Sequence, residues 1–217
     1  MSTPPVTAVL FDFGGVVLSS PLEAFDAYER EQGLPQGIIR RINTADPDSN
    51  AWAKLERGEV DADGFAELFA AEARALGAEI DGHAILGLLA GDPRPVMVEA
   101  LRRLRAAGLP LGLLTNNIAP LPREGELGEI LALFDAVVES SVEGIRKPEP
   151  EIYRRALDRL GAEADRTAYL DDLGVNLKPA RSLGMHTIKV GDPHRALAEL
   201  GELTGLDLGA RNDTTTA

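Results

Sequence analysis

The chain has 217 residues, 44% of them hydrophobic, and carries 35 acidic against 22 basic side chains for a formal net charge of −13. That is enough apolar material to fill the core of one medium-sized domain, while the acidic balance argues against a nucleic-acid backbone or an anionic membrane as the main partner, so any phosphate must be held by a local site. Cysteine is absent, which excludes disulfides and thiol chemistry.

The first apolar run, TAVLFDF at 7–13, reads as a strand that ends on Asp12 and runs into Gly14 and Gly15. A carboxylate at the end of such a strand is costly to bury without a partner, so either Asp12 faces a cleft or the segment is not a strand. From 20 to 92 no strand is expected. LEAFDAYEREQG (22–33) and ADGFAELFAAEARALG (62–77) read as helices and TADPDSN (44–50) as a break between them, a helical insertion placed to cover the end of the first strand. PVMVEALRRLRAAG (95–108) spaces Val96, Leu101 and Leu104 at helical intervals and stops at Gly108, and PEIYRRALDRLG (150–161) repeats the pattern up to Gly161. Between and after them, LPLGLLTN (109–116), DAVVESS (135–141), TAYLDD (167–172) and HTIKV (186–190) have the near-continuous apolar character of parallel strands covered on both faces. REGELGEI (123–130) reads as a solvated helix start and ARNDTTTA (210–217) as a frayed tail.

Alternating strands and helices predict an α/β fold with a doubly wound parallel sheet, whose ligands bind outside the carboxyl ends of the strands. The expected organisation is a core from 1–19 and 93–209, a helical cap from 20–92 and a flexible tail from 210–217. MSTPPVTAV lacks the basic, apolar and cleavage-site pattern of a secretory leader, and no apolar run approaches membrane-spanning length. A cytoplasmic protein without a membrane partner is expected.

A polar residue stands at the carboxyl end of each of three strands: Asp12, Thr115, and the pair Asp171 and Asp172, with Lys147 just ahead of a helix. Neighbouring carboxylates repel unless a cation lies between them, and an all-oxygen site suits Mg²⁺. The metal and Lys147 would then attract a phosphoryl group, Thr115 would donate a hydroxyl, and the Gly14-Gly15 backbone could approach closely. Facing that phosphorus, Asp12 becomes a nucleophile able to form an aspartyl-phosphate.

Taken together, FDFGGVV, LLTNN, GIRKPEPEIY and YLDDLGVNLKPARSLGMHTIKV resemble the four motifs of the haloacid dehalogenase superfamily, nearest the branch that includes the N-terminal phosphatase domain of soluble epoxide hydrolase. The resemblance implies a Rossmann-like core, a helical cap inserted after the first motif, and Mg²⁺-dependent phosphoryl transfer from a small phosphorylated metabolite. It makes Asp12 the nucleophile and a metal ligand, with the Gly14 carbonyl and Asp172 as further ligands and Asp171 and Asn176 supporting them. Gly15, Thr115 and Asn116 would bind the phosphoryl group and Lys147 would neutralise it.

Phosphatases of this superfamily usually carry a second aspartate two residues after the nucleophile, as acid and then base. Here that position is Gly14, and such help is typically worth about 10²–10⁴ in rate. Three readings therefore stay open: a phosphatase, a protein that keeps the phosphate pocket for binding or regulation with little turnover, and a metal-independent dehalogenase-type hydrolase. The last would carry an aromatic residue in place of Gly14. Trp52 lines either the pocket or the core of the insertion, and Arg146 faces either an anion or a helix-end carboxylate. His83, His186 and His194 share no metal-ligand spacing. No rule for the substrate or the oligomeric state is read from the sequence.

Overall fold

The computed structural model describes residues 6–209, so the tail expected at 210–217 lies outside the described residues. Its five apolar runs form Ala8–Phe11 (β1), Leu111–Thr115 (β2), Ala136–Glu139 (β3), Thr167–Asp171 (β4) and His186–Lys189 (β5). They pair in the order β3-β2-β1-β4-β5, all parallel. Every residue of β1, β2 and β4 is buried, as a strand covered on both faces requires. Phe11 lies opposite both Leu113 and Leu170. Asp12 therefore emerges at the same edge as Thr115 and the Asp171–Asp172 pair, at the point where the chain order reverses around β1.

Between β1 and β2 the chain builds five helices from residues 22–87: Leu22–Glu31 (α1), Ile38–Thr44 (α2), Ala51–Glu56 (α3), Ala62–Ala75 (α4) and Gly82–Gly87 (α5). Helices this short have little intrinsic stability. Side-chain caps start three of them: Asn50 accepts from the Ala53 N–H, Asp61 from Gly64 and Asp81 from His83. A separate apolar cluster holds them together, including Phe25, Ile38, Ile39, Ile42, Trp52, Phe65, Phe69 and Ile85. Trp52 stacks at 4.6 Å from Phe65 and 6.4 Å from Phe69, ring centre to ring centre, which makes it part of this cluster's core. The expected helices at 22–33 and 62–77 are present, whereas α2, α3 and α5 have too few turns to show an apolar period.

After β1 the strand period of two divides the sheet's side chains between two layers. Val9, Phe11, Leu111, Leu113 and Leu170 pack with Pro95–Ala106 (α6) and the later Pro193–Thr204. Gly125–Leu131 (α7) and the single turn Ser140–Glu143 (α8) flank β3. Leu10, Leu114, Val138 and Tyr169 pack on the other face with Pro150–Leu160 (α9) and Gly174–Ser182 (α10), leaving Pro193–Thr204 as α11. Among the described residues no helix is long and apolar enough to cross a membrane.

Candidate active site

Asp12 is the first residue past β1, and its carboxylate is held from two sides. Oδ1 accepts the Phe13 N–H at 2.7 Å and Oδ2 lies 2.8 Å from Lys147 Nζ. The same ammonium lies 2.8 Å from Asp171 Oδ2, so one buried lysine bridges two buried carboxylates.

Asp171 is the more fully satisfied of the two. Besides Lys147 it accepts from Tyr169 Oη at 2.5 Å, from the Leu173 N–H at 2.8 Å, and from Asn176 Nδ2 at 3.1 Å on both oxygens. Tyr153 Oη in turn donates to the Asn176 carbonyl at 2.8 Å. Burial alone would push the Asp171 carboxyl up, but Lys147 and the other donors outweigh it and hold it below the usual range. Asp12, with fewer donors, is raised well above its usual value by burial and by the charges of Asp171 and Asp172, against the pull of Lys147. Burial, with Asp171 beside it, pushes Asp172 up to about 6. Lys147 would be lowered by burial, yet its two carboxylates keep it charged and above its ordinary value.

The glycines after Asp12 differ from each other. Gly15 has φ +78°, and a Cβ there would lie 2.3 Å from Asp172 Oδ2, so the missing side chain makes room for that carboxylate. Its N–H points to the Ser19 carbonyl at 3.3 Å. Gly14 is exposed, has φ −66° and ψ 132°, and a Cβ there would meet nothing within 4 Å.

At the end of β2, Thr115 is buried with its hydroxyl 3.3 Å from the Asn116 carbonyl. The Asn116 side chain clamps the Lys147 peptide, accepting its N–H at 2.8 Å and donating to its carbonyl at 3.1 Å. The amide also donates at 3.0 Å to Oε2 of Glu56, at the end of α3. With that side chain committed, the group Asn116 can turn to a ligand is its main-chain N–H.

Asp12, Lys147 and Asp171 are thus in direct contact, and Asp12, Asp171 and Asp172 each bring one carboxylate oxygen within 4.8 Å of the others. Asn176 stands behind Asp171. Sequence reasoning missed Tyr169, Tyr153 and Glu56. Tyr169 could have been found, because it lies two residues before Asp171 and therefore on the same face of β4. Arg146 meets a carboxylate, with Nε 2.5 Å from Glu56 Oε2. Burial raises the Glu56 carboxyl in spite of that guanidinium.

A parallel sheet with a lysine-bridged carboxylate after its first strand and an acidic pair at the end of its fourth defines an α/β protein built for chemistry at a strand-end crevice. The family model described as haloacid dehalogenase-like hydrolase matches residues 6–184, so the chain belongs to that family. It is 38% identical over 94% of its length to mouse (Mus musculus) acyl-CoA dehydrogenase family member 10, covering 20% of that protein. It is 30% identical over 93% of its length to pig (Sus scrofa) bifunctional epoxide hydrolase 2, covering 39% of it. In both cases it spans well under half of the relative. Sesquiterpene phosphatase from Aspergillus oryzae is 29% identical, over 91% of this chain and 96% of that protein. Among solved structures, a family enzyme from Bacteroides thetaiotaomicron in complex with magnesium and inorganic phosphate shares the fold, with a TM-score of 0.59 at 21% identity, covering 86% of this chain and 96% of that one.

Proposed function

We propose that the chain is a Mg²⁺-dependent phosphatase that hydrolyses a small phosphate monoester through an aspartyl-phosphate on Asp12. The observation that carries the reading is the buried Asp12–Lys147–Asp171 contact, with both carboxylates 2.8 Å from the ammonium. It supports a nucleophile held beside a fixed positive charge where a phosphoryl group would arrive. The phosphatase relative, and the neighbour containing magnesium and phosphate, support the same reading.

The donor set fits a divalent cation. Its groups are all oxygens, Asp12 and Asp172 are both raised by burial and by like charge, and a cation relieves that cost. Asp12, the Gly14 carbonyl and Asp172 would hold it. Asp171, with both oxygens already taken, would orient Lys147 from behind with Asn176. When bound, Mg²⁺ supplies charge stabilisation to the phosphoryl oxygens.

Asp12 attacks phosphorus and the bond to the ester oxygen breaks, the departing oxygen taking its proton from water because Gly14 offers no acid. Lys147 offsets charge on the transferred group, while the Thr115 hydroxyl and the Asn116 main-chain N–H bind its oxygens. Gly15 leaves room beside Asp172. Water then attacks the aspartyl-phosphate at phosphorus, gives up a proton to the solvent, and returns Asp12 as a carboxylate with inorganic phosphate released. Residues 20–92 would act as a cap that excludes bulk water and contacts the rest of the substrate.

A second reading, a phosphate-binding protein with little turnover, is favoured by one observation: no side chain occupies the acid position at Gly14. Phosphate release from alkyl, aryl, sugar and acyl phosphates, with Mg²⁺ and with a chelator, decides between them. The proposal expects Mg²⁺-dependent release that Asp12→Asn abolishes. Phosphate binding without release above the Asp12→Asn background on any substrate would establish the second reading instead.

A further inference from the structure

Glu56 lies outside every motif, yet it is the helical segment's contact with the phosphate-binding residues. Its Oε2 takes two donors, Asn116 Nδ2 at 3.0 Å and Arg146 Nε at 2.5 Å. Arg146 also reaches back into the segment, with Nη1 2.9 Å from the Pro47 carbonyl. Glu56 and Arg146 are both largely buried, at 16% and 15% side-chain exposure. An ionised carboxylate only accepts hydrogen bonds, so Glu56 accepts the NH₂ side of the Asn116 amide and repels its oxygen. That fixes the amide in the one orientation in which Oδ1 receives the Lys147 N–H and Nδ2 meets the Lys147 carbonyl. One carboxylate thereby holds Arg146 directly and Lys147 through a single amide.

Charged side chains also line the seam between segment and core beside this contact. A groove of about 530 Å³ is lined by Asp48, Arg57 and Glu59 from the segment and by Arg146, Pro148 and Glu149 from the core.

We infer that Glu56 is a positioning residue through which the seated helical segment fixes the Asn116 amide and, through it, the Lys147 peptide. The phosphate site is complete only while α3 stands against the sheet. What Lys147 does for a substrate rests on the phosphatase reading; how Glu56 acts on Lys147 rests on the contacts alone.

The test uses the full chain and two readouts: amide hydrogen exchange at Lys147, and calorimetric binding of inorganic phosphate in the presence of Mg²⁺. Glu56→Ala should speed exchange at the Lys147 N–H by about tenfold or more and weaken phosphate binding by about tenfold, the scale of one lost charge-assisted hydrogen bond. Glu56→Gln, which keeps an acceptor for Asn116, should change each by less than about threefold. Glu56→Met keeps the bulk without the acceptor and gives the same readouts if the alanine variant does not fold. The inference is overturned if the alanine or methionine variant melts lower while Lys147 exchange and phosphate affinity stay at wild-type values. It is equally overturned if phosphate affinity is unchanged but alkyl-phosphate turnover is lost and then restored by adding Gly14→Asp, for Glu56 would then be a proton donor. A wild-type chain that binds no phosphate would remove the functional reading, and Lys147 exchange would still decide the role of Glu56.

Discussion

The carboxyl edge of the sheet and the helical segment are stabilised in opposite ways. At the edge, charged groups are buried and satisfy one another: Lys147 sits between Asp12 and Asp171, and Asp171 is backed by Tyr169, Asn176 and a main-chain N–H. In the segment, an aromatic and aliphatic cluster around Trp52, Phe65 and Phe69 supplies the stability, and capping side chains start its short helices. Strand register positions the two carboxylates of the first set, because Asp12 directly follows β1 and Asp171 ends β4, and these strands pair with each other. The second set depends on packing that many sequences could supply. The sheet thus positions the charged groups and the apolar cluster holds the segment, with Glu56 and the Arg146–Pro47 contact joining the two.

The largest expected effect tests the edge. Asp12→Asn should lower Mg²⁺-dependent phosphate release by at least about 10³-fold, since it removes the proposed nucleophile with almost no change of shape. It should leave the melting temperature within a few degrees of wild type, because the carboxyl it replaces is already raised by burial and Lys147 keeps its contact with Asp171. Residual turnover near wild type in a folded variant would rule out a covalent mechanism on this residue.

Next in size is Asp171→Ala. It strands Lys147, Tyr169 and Asn176 without their shared acceptor, so denaturant unfolding should show a loss of about 3–5 kcal/mol. Asp12→Asn should cost far less. Equal costs for the two would mean that the edge does not divide into a supporting carboxylate and a reacting one.

In the segment the corresponding break is steric. The Gly82 Cα at the start of α5 lies so close to α4 that a Cβ would come within 2.4 Å of Ala66 Cα and 2.8 Å of its carbonyl oxygen. Backbone atoms cannot step aside as a side chain can, so Gly82→Ala should destabilise the protein by about 1–3 kcal/mol. Phosphate affinity of the folded fraction should stay within about twofold if the edge is independent of this packing. A parallel loss of affinity would show that the two regions are coupled well beyond Glu56.

The same division explains what could be read from the sequence. The strands were legible as apolar runs, and Asp12, Thr115, Asp171 and Asp172 were legible as polar residues ending them, because chain-local patterning and strand register decide both. Asp171 and Asp172 stand side by side in the sequence, but only the structure separates them into one carboxylate taken up by donors and one raised to about 6. Glu56 is 60 residues from Asn116 and 90 from Arg146. Nothing within α3 marks its carboxylate for either partner. The helices α2, α3 and α5 escaped for a simpler reason: at six or seven residues they are too short to show a period, α2 has no capping side chain, and TADPDSN, read as a break, ends in the Asn50 cap of α3.

The smallest expected effect concerns the vacant acid position. The sequence leaves two outcomes for Gly14→Asp, a restored proton donor or a strained backbone. The structure favours the first, because φ −66° and ψ 132° suit any residue and a Cβ would meet nothing within 4 Å. The position is exposed, so the melting temperature should move by no more than about 1 °C. An aspartate there stands two residues from Asp12, whose negative charge favours the protonated form that a leaving-group acid needs. The alkyl-to-aryl rate ratio should then rise by about threefold to tenfold, since alkoxide leaving groups need a proton and aryl oxides hardly do. An acid placed without its evolved surroundings should recover only part of the usual gain. A stable variant whose ratio stays flat would place the proton source elsewhere in the crevice, and would turn attention from the sheet edge to groups that the segment brings to it.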